Sequence, residues 1–193
     1  MVETLPSLLH DYPWLRTIAS RLPCRWAVAG GWAIDLFVGH VTRTHGDLEI
    51  TILRDDQLKA RGALNGWHLE AIDNGKPIHW HADTRLALPI HEIHGRRGAE
   101  KLELLLSEHE GEHWIYRRDR RIARSLSVAF FEATPMPYLA PELVLLFKSK
   151  DTKPKDDSDF HRSLEMLTAG QRYWLRTALD IVAPKHPWIK ELA

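Results

Sequence analysis

The fold is decided by two stretches of sequence, Ala29-Gly30-Gly31-Trp32-Ala33-Ile34-Asp35-Leu36-Phe37 and Asp47-Leu48-Glu49-Ile50-Thr51-Ile52-Leu53. The apolar run Trp26 to Ala29 predicts a short strand, and Trp32 to Val38 predicts a helix with Gly39 at its C-terminal side. Asp47 to Leu53 alternates between polar and apolar residues, which is typical of a half-buried strand. The predicted order is therefore strand, glycine turn, helix, strand.

Gly30 and Gly31 lie where the first strand passes into the helix. Backbone N–H groups at a helix N-terminus are free to bind an anion, and the helix dipole favours negative charge there. Because glycine has no Cβ, a phosphate can approach the backbone closely. Glycines also occur in such turns for their shape alone, so the pair by itself leaves both interpretations open.

Asp47 and Glu49 are separated by one residue on the second strand, so both carboxylates are expected on the same face. Two neighbouring carboxylates repel each other unless a cation lies between them. Mg²⁺ commonly takes one or two carboxylates together with substrate phosphates. The alternative is the solvated face of an amphipathic strand, and the preceding glycine turn favours the metal site.

The rest of the N-terminal part predicts a mixture of helices and strands. Ser7 to Leu22 has the apolar spacing of a helix, and Asp55 to Leu64 predicts another with Asp55 as its N-cap. Turns are expected at Asp73-Asn74-Gly75 and at the acidic segment Ser107 to Glu112. The predicted strands are Trp67–Ile72, Ile78–His81, Leu86–His94, Lys101–Leu106, His113–Tyr116 and Ser125–Phe131.

Composition changes at Pro135, Pro137 and Pro141, which predict a linker. Helices are expected after it at Glu142–Ser149, Asp156–Leu167 and Gln171–Val182, with Pro154 interrupting between the first two. This order predicts an α+β fold, a mixed sheet flanked by helices. Residues 1–134 would form the catalytic domain, and residues 135–193 a helical region that packs on it.

Bulk composition limits the classes of function. The 193 residues include 26 basic and 26 acidic side chains, which argues against bulk binding of nucleic acid. The one cysteine, Cys24, rules out an intrachain disulfide and suits a reducing cytoplasm. No signal peptide or membrane span is indicated. We expect a cytoplasmic protein without membrane partners, and a homodimer is left open.

Two clusters of side chains have competing interpretations. His79, His81, His91 and His94 lie on neighbouring predicted strands and suggest a zinc site, but no cysteines complete a usual ligand set. The basic run Arg117–Arg121, with Arg124, would suit nucleic acid. We favour a solvated loop that pairs with acids of the same hairpin, namely Glu108, Glu110 and Glu112.

The two opening stretches, with Thr42-Arg43-Thr44-His45-Gly46 between them, resemble the nucleotidyltransferase signature: a Gly-Gly or Gly-Ser turn, a helix, then Asp-x-Asp or Asp-x-Glu on a strand. They are most similar to the aminoglycoside and lincosamide nucleotidyltransferases, the aminoglycoside-2''-adenylyltransferase-like proteins. The resemblance covers most of the chain and continues through Trp114–Asp119, Pro137–Glu142, Leu145–Lys150, Lys155–Phe160 and His186–Trp188.

The resemblance implies a nucleotidyltransferase-type sheet and Mg²⁺-dependent transfer of a nucleoside monophosphate, AMP from ATP, to a hydroxyl of a small molecule. Such an acceptor would be an aminoglycoside or lincosamide antibiotic, which implies a role in resistance. It also implies a third carboxylate on a later strand, and Glu103 matches that position. The implied catalytic and metal-binding residues are Asp47, Glu49 and Glu103, and the nucleotide-binding residues are Gly30, Gly31, Arg43, Lys148 and Lys150.

Each of these roles has a structural alternative. Glu103 would also suit a solvent-facing edge strand, and Lys148 and Lys150 would suit a helix C-terminus. We favour helix capping for Asp156 and Asp159. Acids for a polycationic acceptor could come from Glu70, Asp73, Asp83, Glu92 and Glu100. Related domains modify proteins or RNA or act as antitoxin partners, and a nucleotide-binding domain without turnover is a third hypothesis.

Overall fold

The computed structural model describes residues 4–133 and 136–193, with side chains from Ser7 onward. Pro135 of the predicted linker lies outside the described residues. The helices are α1 (Thr4–Asp11), α2 (Leu15–Ala19), α3 (Gly30–Val38), α4 (Gln57–Ala63), α5 (Leu126–Ala129), α6 (Pro141–Lys148), α7 (Pro154–Leu164), α8 (Ala169–Val182) and α9 (Trp188–Glu191). The strands are β1 (Trp26–Val28), β2 (Glu49–Leu53), β3 (His68–Asp73), β4 (Lys76–His79), β5 (Glu92–Arg97), β6 (Glu100–Glu110), β7 (His113–Ile115), β8 (Ala123–Ser125), β9 (Phe130–Phe131) and β10 (Tyr138–Leu139).

The strands form one mixed sheet in the order β4-β3-β5-β6-β2-β1-β10-β9, and β7 and β8 extend it from the far end of β6. The pairs β2–β6 and β1–β10 are parallel, whereas the other pairs are antiparallel. Helices flank the sheet, and the C-terminal region is helical apart from β10. The predicted α+β fold class is confirmed.

Helix α3 lies at the centre of the molecule. Its residues Gly31 to Leu36 are all buried, because the helix packs against α6 and α7 as well as against the sheet. Gly39 ends α3 with a φ of 91°, a conformation that glycine adopts without strain. Pro141 and Pro154 stand at the first positions of α6 and α7, where a missing N–H costs nothing. Pro154 therefore begins α7, and the predicted interruption between the two helices lies just before it, after α6 ends at Lys148.

The N-terminal helix predicted from Ser7 to Leu22 is two helices, α1 and α2. Pro13 lies between them, and proline lacks the N–H that a continuous helix requires. Trp14, Leu15 and Ile18 still point into the core, so the apolar spacing identified the buried face correctly. Asp55 does not cap the next helix; it lies in a 3₁₀ turn, Arg54–Asp56, and Asp56 precedes α4.

Three predicted strand boundaries were wrong. Leu86 to Ile90 is irregular, and β5 begins only at Glu92. Strand β6 continues to Glu110, so the turn predicted from Ser107 to Glu112 is confined to Gly111 and Glu112. Ser125 to Phe131 is divided among β8, α5 and β9. No helix among the described residues is long and apolar enough to cross a membrane.

Candidate active site

Two acidic residues lie side by side on adjacent strands at the centre of the sheet. Strands β2 and β6 are parallel, and their register pairs Glu49 with Glu103. The Glu103 backbone N–H donates to the carbonyl of Leu48 at 2.9 Å, which fixes this register. Asp47 lies two residues before Glu49, just outside the strand that was expected to begin with it. The structure thus brings the three predicted carboxylates into one region.

The electrostatics show that these carboxylates interact. Burial raises the pKa of Glu49 to about 7, and the negative charges of Glu103 and Asp47 add to the increase. The cations of Lys148 and Lys155 act in the opposite direction. Burial also raises the pKa of Glu103, followed by repulsion from Asp47 and Glu92. Part of each glutamate side chain remains open to a pocket, so the group is accessible to a ligand.

Gly30 and Gly31 leave room for site side chains. Gly30 begins α3 with a φ of 59°, and a Cβ there would lie 1.5 Å from Oε2 of Glu49. A Cβ on Gly31 would lie 2.4 Å from Nη2 of Arg43 and 2.5 Å from Nδ1 of His45. The two glycines therefore let the Glu49 carboxylate and the loop side chains approach the start of α3. The sequence left open whether the glycines admit a phosphate or serve the shape of the turn, and the structure shows that side chains of the protein occupy part of this space.

The loop before Asp47 is held by a buried network. Nε2 of His45 lies 2.6 Å from Oδ2 of Asp35, and Thr42 donates to the other carboxylate oxygen at 2.5 Å. Arg43 forms a bidentate pair with Asp159 of α7, with both N···O distances at 3.2 Å. Asp35 and Asp159 are both fully buried. Arg43 therefore anchors the loop that positions Asp47, while its guanidinium borders a pocket.

The lysine at the end of α6 is held by two aspartates. Nζ of Lys148 lies 2.8 Å from Asp156 and 3.0 Å from Asp159. Burial would lower the pKa of Lys148, but these carboxylates raise it above the ordinary value, so the ammonium stays charged. Asp156 also accepts from the Lys153 backbone N–H at 3.1 Å, which confirms part of its predicted capping role. Lys150 is exposed.

Two pockets meet at Glu49 and Lys148, which line both. The first, here called the polar pocket, has a volume of about 510 Å³ and is bordered by Gly31, Arg43, Asp47, Lys150 and Lys155. The second, here called the inner cavity, has a volume of about 240 Å³ and extends from Gly30 along β6 to β7 and α6. Glu103 faces the inner cavity, so the acidic group lies at the junction of the two.

The sequence analysis missed the partners of Glu103 on β5. Nε2 of His94 lies 2.7 Å from Glu92 and 3.8 Å from Glu103, and the three residues offer ligand atoms within 4.8 Å of one another. The four-histidine zinc alternative does not form: His79 and His81 pack against each other, and His91 contacts the Pro89 carbonyl. Glu92 and His94 are two residues apart on the predicted strand Leu86–His94, so alternation along that strand could have placed both on one face.

Comparison with known proteins adds the family. The aminoglycoside-2''-adenylyltransferase family profile matches residues 15–163, well over half of the chain. No curated protein sequence matches. The crystal structure of ANT(2'')-Ia in complex with adenylyl-2''-tobramycin aligns with a TM-score of 0.64 at 15% identity, covering 90% of this chain and 99% of that chain. The solution structure of ANT(2'')-Ia gives 0.62 at 16% identity, covering 93% and 94%.

A lincosamide enzyme has a related fold. The lincomycin-bound crystal structure of the lincosamide antibiotic adenylyltransferase LnuA aligns with a TM-score of 0.51 at 18% identity, covering 82% of this chain and 93% of that chain. At such identities the structural likeness shows the fold, while the family profile shows the relationship in sequence. The chain belongs to the aminoglycoside-2''-adenylyltransferase family and is a nucleotidyltransferase.

Proposed function

We propose that the protein transfers AMP from ATP to a hydroxyl of a small molecule, with Mg²⁺ held by Asp47, Glu49 and Glu103. One observation carries the proposal: Glu49 and Glu103 are paired across β2 and β6, with Asp47 close by and with Lys148 lining the same two pockets as Glu49. Acids and cations in this arrangement match the two sides of a metal–triphosphate complex.

The residues present fit a hard divalent cation. Carboxylate oxygens are the ligands that Mg²⁺ prefers, and it usually keeps further positions for water and phosphate. Burial raises the pKa of Glu49 and of Glu103, and the charge of Asp47 raises both further, so a nearby positive charge would stabilise the ionised forms of these two glutamates. When bound, Mg²⁺ would supply that charge and neutralise phosphate oxygens.

The polar pocket suits the β- and γ-phosphates. Lys148 and Lys150 border it together with Lys153 and Lys155, and the N-terminus of α3 lies beside it at Gly31. Helix N-termini and lysines both favour phosphate, and lysines there stabilise the charge that develops on departing pyrophosphate. Lys148 is positioned by its two aspartates, and Arg43 holds the loop in place.

The proposed reaction is an in-line displacement at the α-phosphorus. The acceptor hydroxyl oxygen forms the new P–O bond, and the bond to the bridging oxygen of pyrophosphate breaks with its electron pair leaving on pyrophosphate. Glu103, which faces the inner cavity, takes the hydroxyl proton. Asp47 and Glu49 would hold the bound Mg²⁺ next to the α-phosphate of ATP.

The acceptor is proposed to be a small molecule, such as an aminoglycoside or lincosamide antibiotic. The inner cavity is near the lower end of the size range for small-molecule sites. ANT(2'')-Ia with adenylyl-2''-tobramycin and LnuA with lincomycin supply two acceptors to test. ATP and a reducing interior would both be available in the cytoplasm, where we place the protein.

The test is transfer of α-labelled nucleotides to an acceptor panel, with pyrophosphate release measured in parallel. We expect Mg²⁺-dependent labelling of a small molecule, with ATP preferred, and its loss in Asp47→Ala. Label on protein or RNA would instead support a macromolecule-modifying enzyme. Mg²⁺-dependent triphosphate binding without pyrophosphate release for any acceptor would support a binding domain that lacks turnover.

A further inference from the structure

The inner cavity differs from a site for a polycation. Of the five acids that the sequence analysis offered for such an acceptor, only Glu92 lines the cavity. Glu100 pairs with Arg97 on the adjoining hairpin, and Glu70 and Asp73 lie on β3. A polycationic acceptor needs several carboxylates around it, because each ammonium group that loses water must gain a partner.

The carboxylates that do line the cavity are already engaged. Oε1 of Glu108 lies 2.6 Å from the Arg54 guanidinium, and both side chains are largely buried. Glu92 lies 2.7 Å from Nε2 of His94. Glu49 and Glu103 are the proposed metal ligands. Each carboxylate among the described residues of the cavity therefore already has a partner or a proposed role as metal ligand, which leaves fewer of them for the ammonium groups of a polycation.

One arginine of the cavity has no direct hydrogen-bonded partner among the described residues. Arg117 is half-buried, lies 5.6 Å over the Phe147 ring, and has no hydrogen bond or ion pair to any residue that the structure describes. Burial lowers its pKa and the neighbouring Arg118 lowers it further, whereas the charges of Tyr116, Glu92 and Glu108 act in the opposite direction. Arg118 donates to neutral oxygens, the Tyr116 hydroxyl at 3.2 Å and the Phe147 carbonyl at 3.1 Å.

One wall of the cavity is apolar. Leu105 follows Glu103 by two residues on β6, so both side chains lie on the same face of the sheet. Ile115, Leu139, Val144 and Phe147 complete this wall from β7, β10 and α6. An acceptor bound here would bury apolar surface, which favours binding by roughly 25 cal/mol per Å².

The in-line geometry of the proposed displacement at the α-phosphorus implies that the acceptor binds in this cavity. Pyrophosphate leaves into the polar pocket, where the lysines lie, and the attacking oxygen must approach from the opposite side of the α-phosphorus. Glu49 lies at the junction and Glu103 faces the inner cavity. The acceptor hydroxyl therefore reaches the reaction from the side of Leu105, Arg117 and Phe147.

From these observations we infer that the acceptor is an amphiphilic hydroxylated molecule of low positive charge. Its apolar part lies against Leu105 and Phe147, and a carbonyl or carboxylate oxygen accepts from Arg117. Arginine suits that role because its planar group donates two parallel hydrogen bonds. The inference rests on the proposed function and narrows its acceptor class.

The first experiment compares lincomycin, which carries an alkyl group and an amide carbonyl, with tobramycin, which carries several protonated amines. Transfer of labelled AMP is measured for both with the wild-type protein. We expect kcat/KM to be higher for lincomycin by at least about tenfold, which corresponds to one engaged polar partner. Equal or better use of tobramycin overturns the inference while leaving the proposed function intact. The inference is also overturned if ATP binds with Mg²⁺ but lincomycin is not modified.

The second experiment locates the acceptor. Arg117→Gln should raise the KM for lincomycin by about 10- to 100-fold, as expected for a lost charge-assisted hydrogen bond, with the KM for ATP unchanged. The matched control is Arg121→Gln, which removes the same charge from an exposed residue paired with Asp119. A rise in the KM for ATP alone would assign the cavity to the nucleoside and overturn the inference.

A third variant distinguishes a change in acceptor specificity from a loss of folding. Leu105→Glu adds an unpaired carboxylate beside Glu103, so it should lower kcat/KM for lincomycin and raise it for tobramycin. A gain for tobramycin cannot arise from misfolding. Loss with both acceptors, in a protein that keeps its thermal unfolding transition and its Mg²⁺-dependent ATP binding, would contradict the proposed wall. Loss of Mg²⁺-dependent ATP binding by the wild-type protein would refute the proposed function itself.

Discussion

The residue that most narrowly constrains the site is Gly30. It combines a φ of 59° with a Glu49 carboxylate oxygen that lies 1.5 Å from the position a Cβ would take, so two independent constraints require glycine. A left-handed φ costs other residues about 1–2 kcal/mol, and a methyl group here would also displace Glu49. The glycine turn therefore serves the acidic group as well as the start of α3.

We predict that Gly30→Ala destabilises the protein by at least about 1 kcal/mol and lowers nucleotide transfer by about 100-fold or more, because Glu49 must move. Urea unfolding and labelled transfer measure the two effects. Gly62→Ala is the control, since nothing lies within 4 Å of its Cβ position in α4. It should stabilise slightly, by up to about 1 kcal/mol, and leave transfer unchanged. Wild-type transfer by Gly30→Ala would refute the packing argument.

For single residues, the local sequence predicted the positions of the acids and glycines of the site. It did not predict the contacts that hold these residues in place. Asp47, Glu49 and the glycines lie within one short segment, where spacing on a strand and a helix decides their geometry. Arg43 and Asp159 are separated by 116 residues, and no local pattern relates them. Asp35 looked like an ordinary helix residue, and only the folded loop shows that it holds His45.

Among the helices and strands, α6 and α7 are connected by ion pairs at the edge of the polar pocket. Burial alone would raise the pKa of Asp156, but hydrogen bonds from Lys148 and from the Lys153 backbone N–H lower it below the ordinary value. Folding thus favours the ionised carboxylate. Its contribution to stability is present above about pH 4 and is lost as the pH falls through the lowered pKa.

Asp156→Asn should accordingly lower the free energy of unfolding by about 1.5–3 kcal/mol near pH 7, and by clearly less at about pH 3. Urea unfolding at both pH values gives the comparison. Asp83→Asn, in an exposed turn, should change stability little at either pH. A difference between wild type and Asp156→Asn that grows on acidification would contradict the assigned ion pair.

The wrong element predictions share a physical cause. The acids from Ser107 to Glu112 looked like a turn, yet β6 continues through Glu110 because β7 pairs with its exposed end. Strand β10 was hidden in the proline-rich linker, and its two residues are held by β1 and β9. Pairing with neighbouring strands of the sheet overrode local preference in both cases. The regular helices α3, α6 and α8 were predicted well because their apolar spacing is strong.

Over the whole molecule, the sheet joins the N-terminal and C-terminal regions. Strand β10 lies between β1 and β9, and α6 and α7 pack on α3, so one hydrophobic core includes side chains from both. Separate unfolding of a C-terminal unit would expose α3 and break the pairing of β1 with β10. We therefore propose that the two predicted regions are stable only together.

Unfolding should then be a single transition. Far-ultraviolet circular dichroism, which follows helices and strands, and near-ultraviolet signals from the buried Trp32, Trp114 and Trp188 should give coincident urea midpoints. The three tryptophans sample α3, β7 and α9. Two separated transitions would show that the C-terminal helices form an independent unit.

The central claim is that Asp47, Glu49 and Glu103 hold the metal that presents ATP. Calorimetric titration with a non-hydrolysable ATP analogue, with Mg²⁺ or with EDTA, tests it most directly. We expect binding to be at least about tenfold tighter with Mg²⁺, and we expect this gain to vanish in Glu49→Gln but persist in Glu132→Gln, an exposed control. Equal Mg²⁺-dependent binding by wild type and Glu49→Gln would contradict the account.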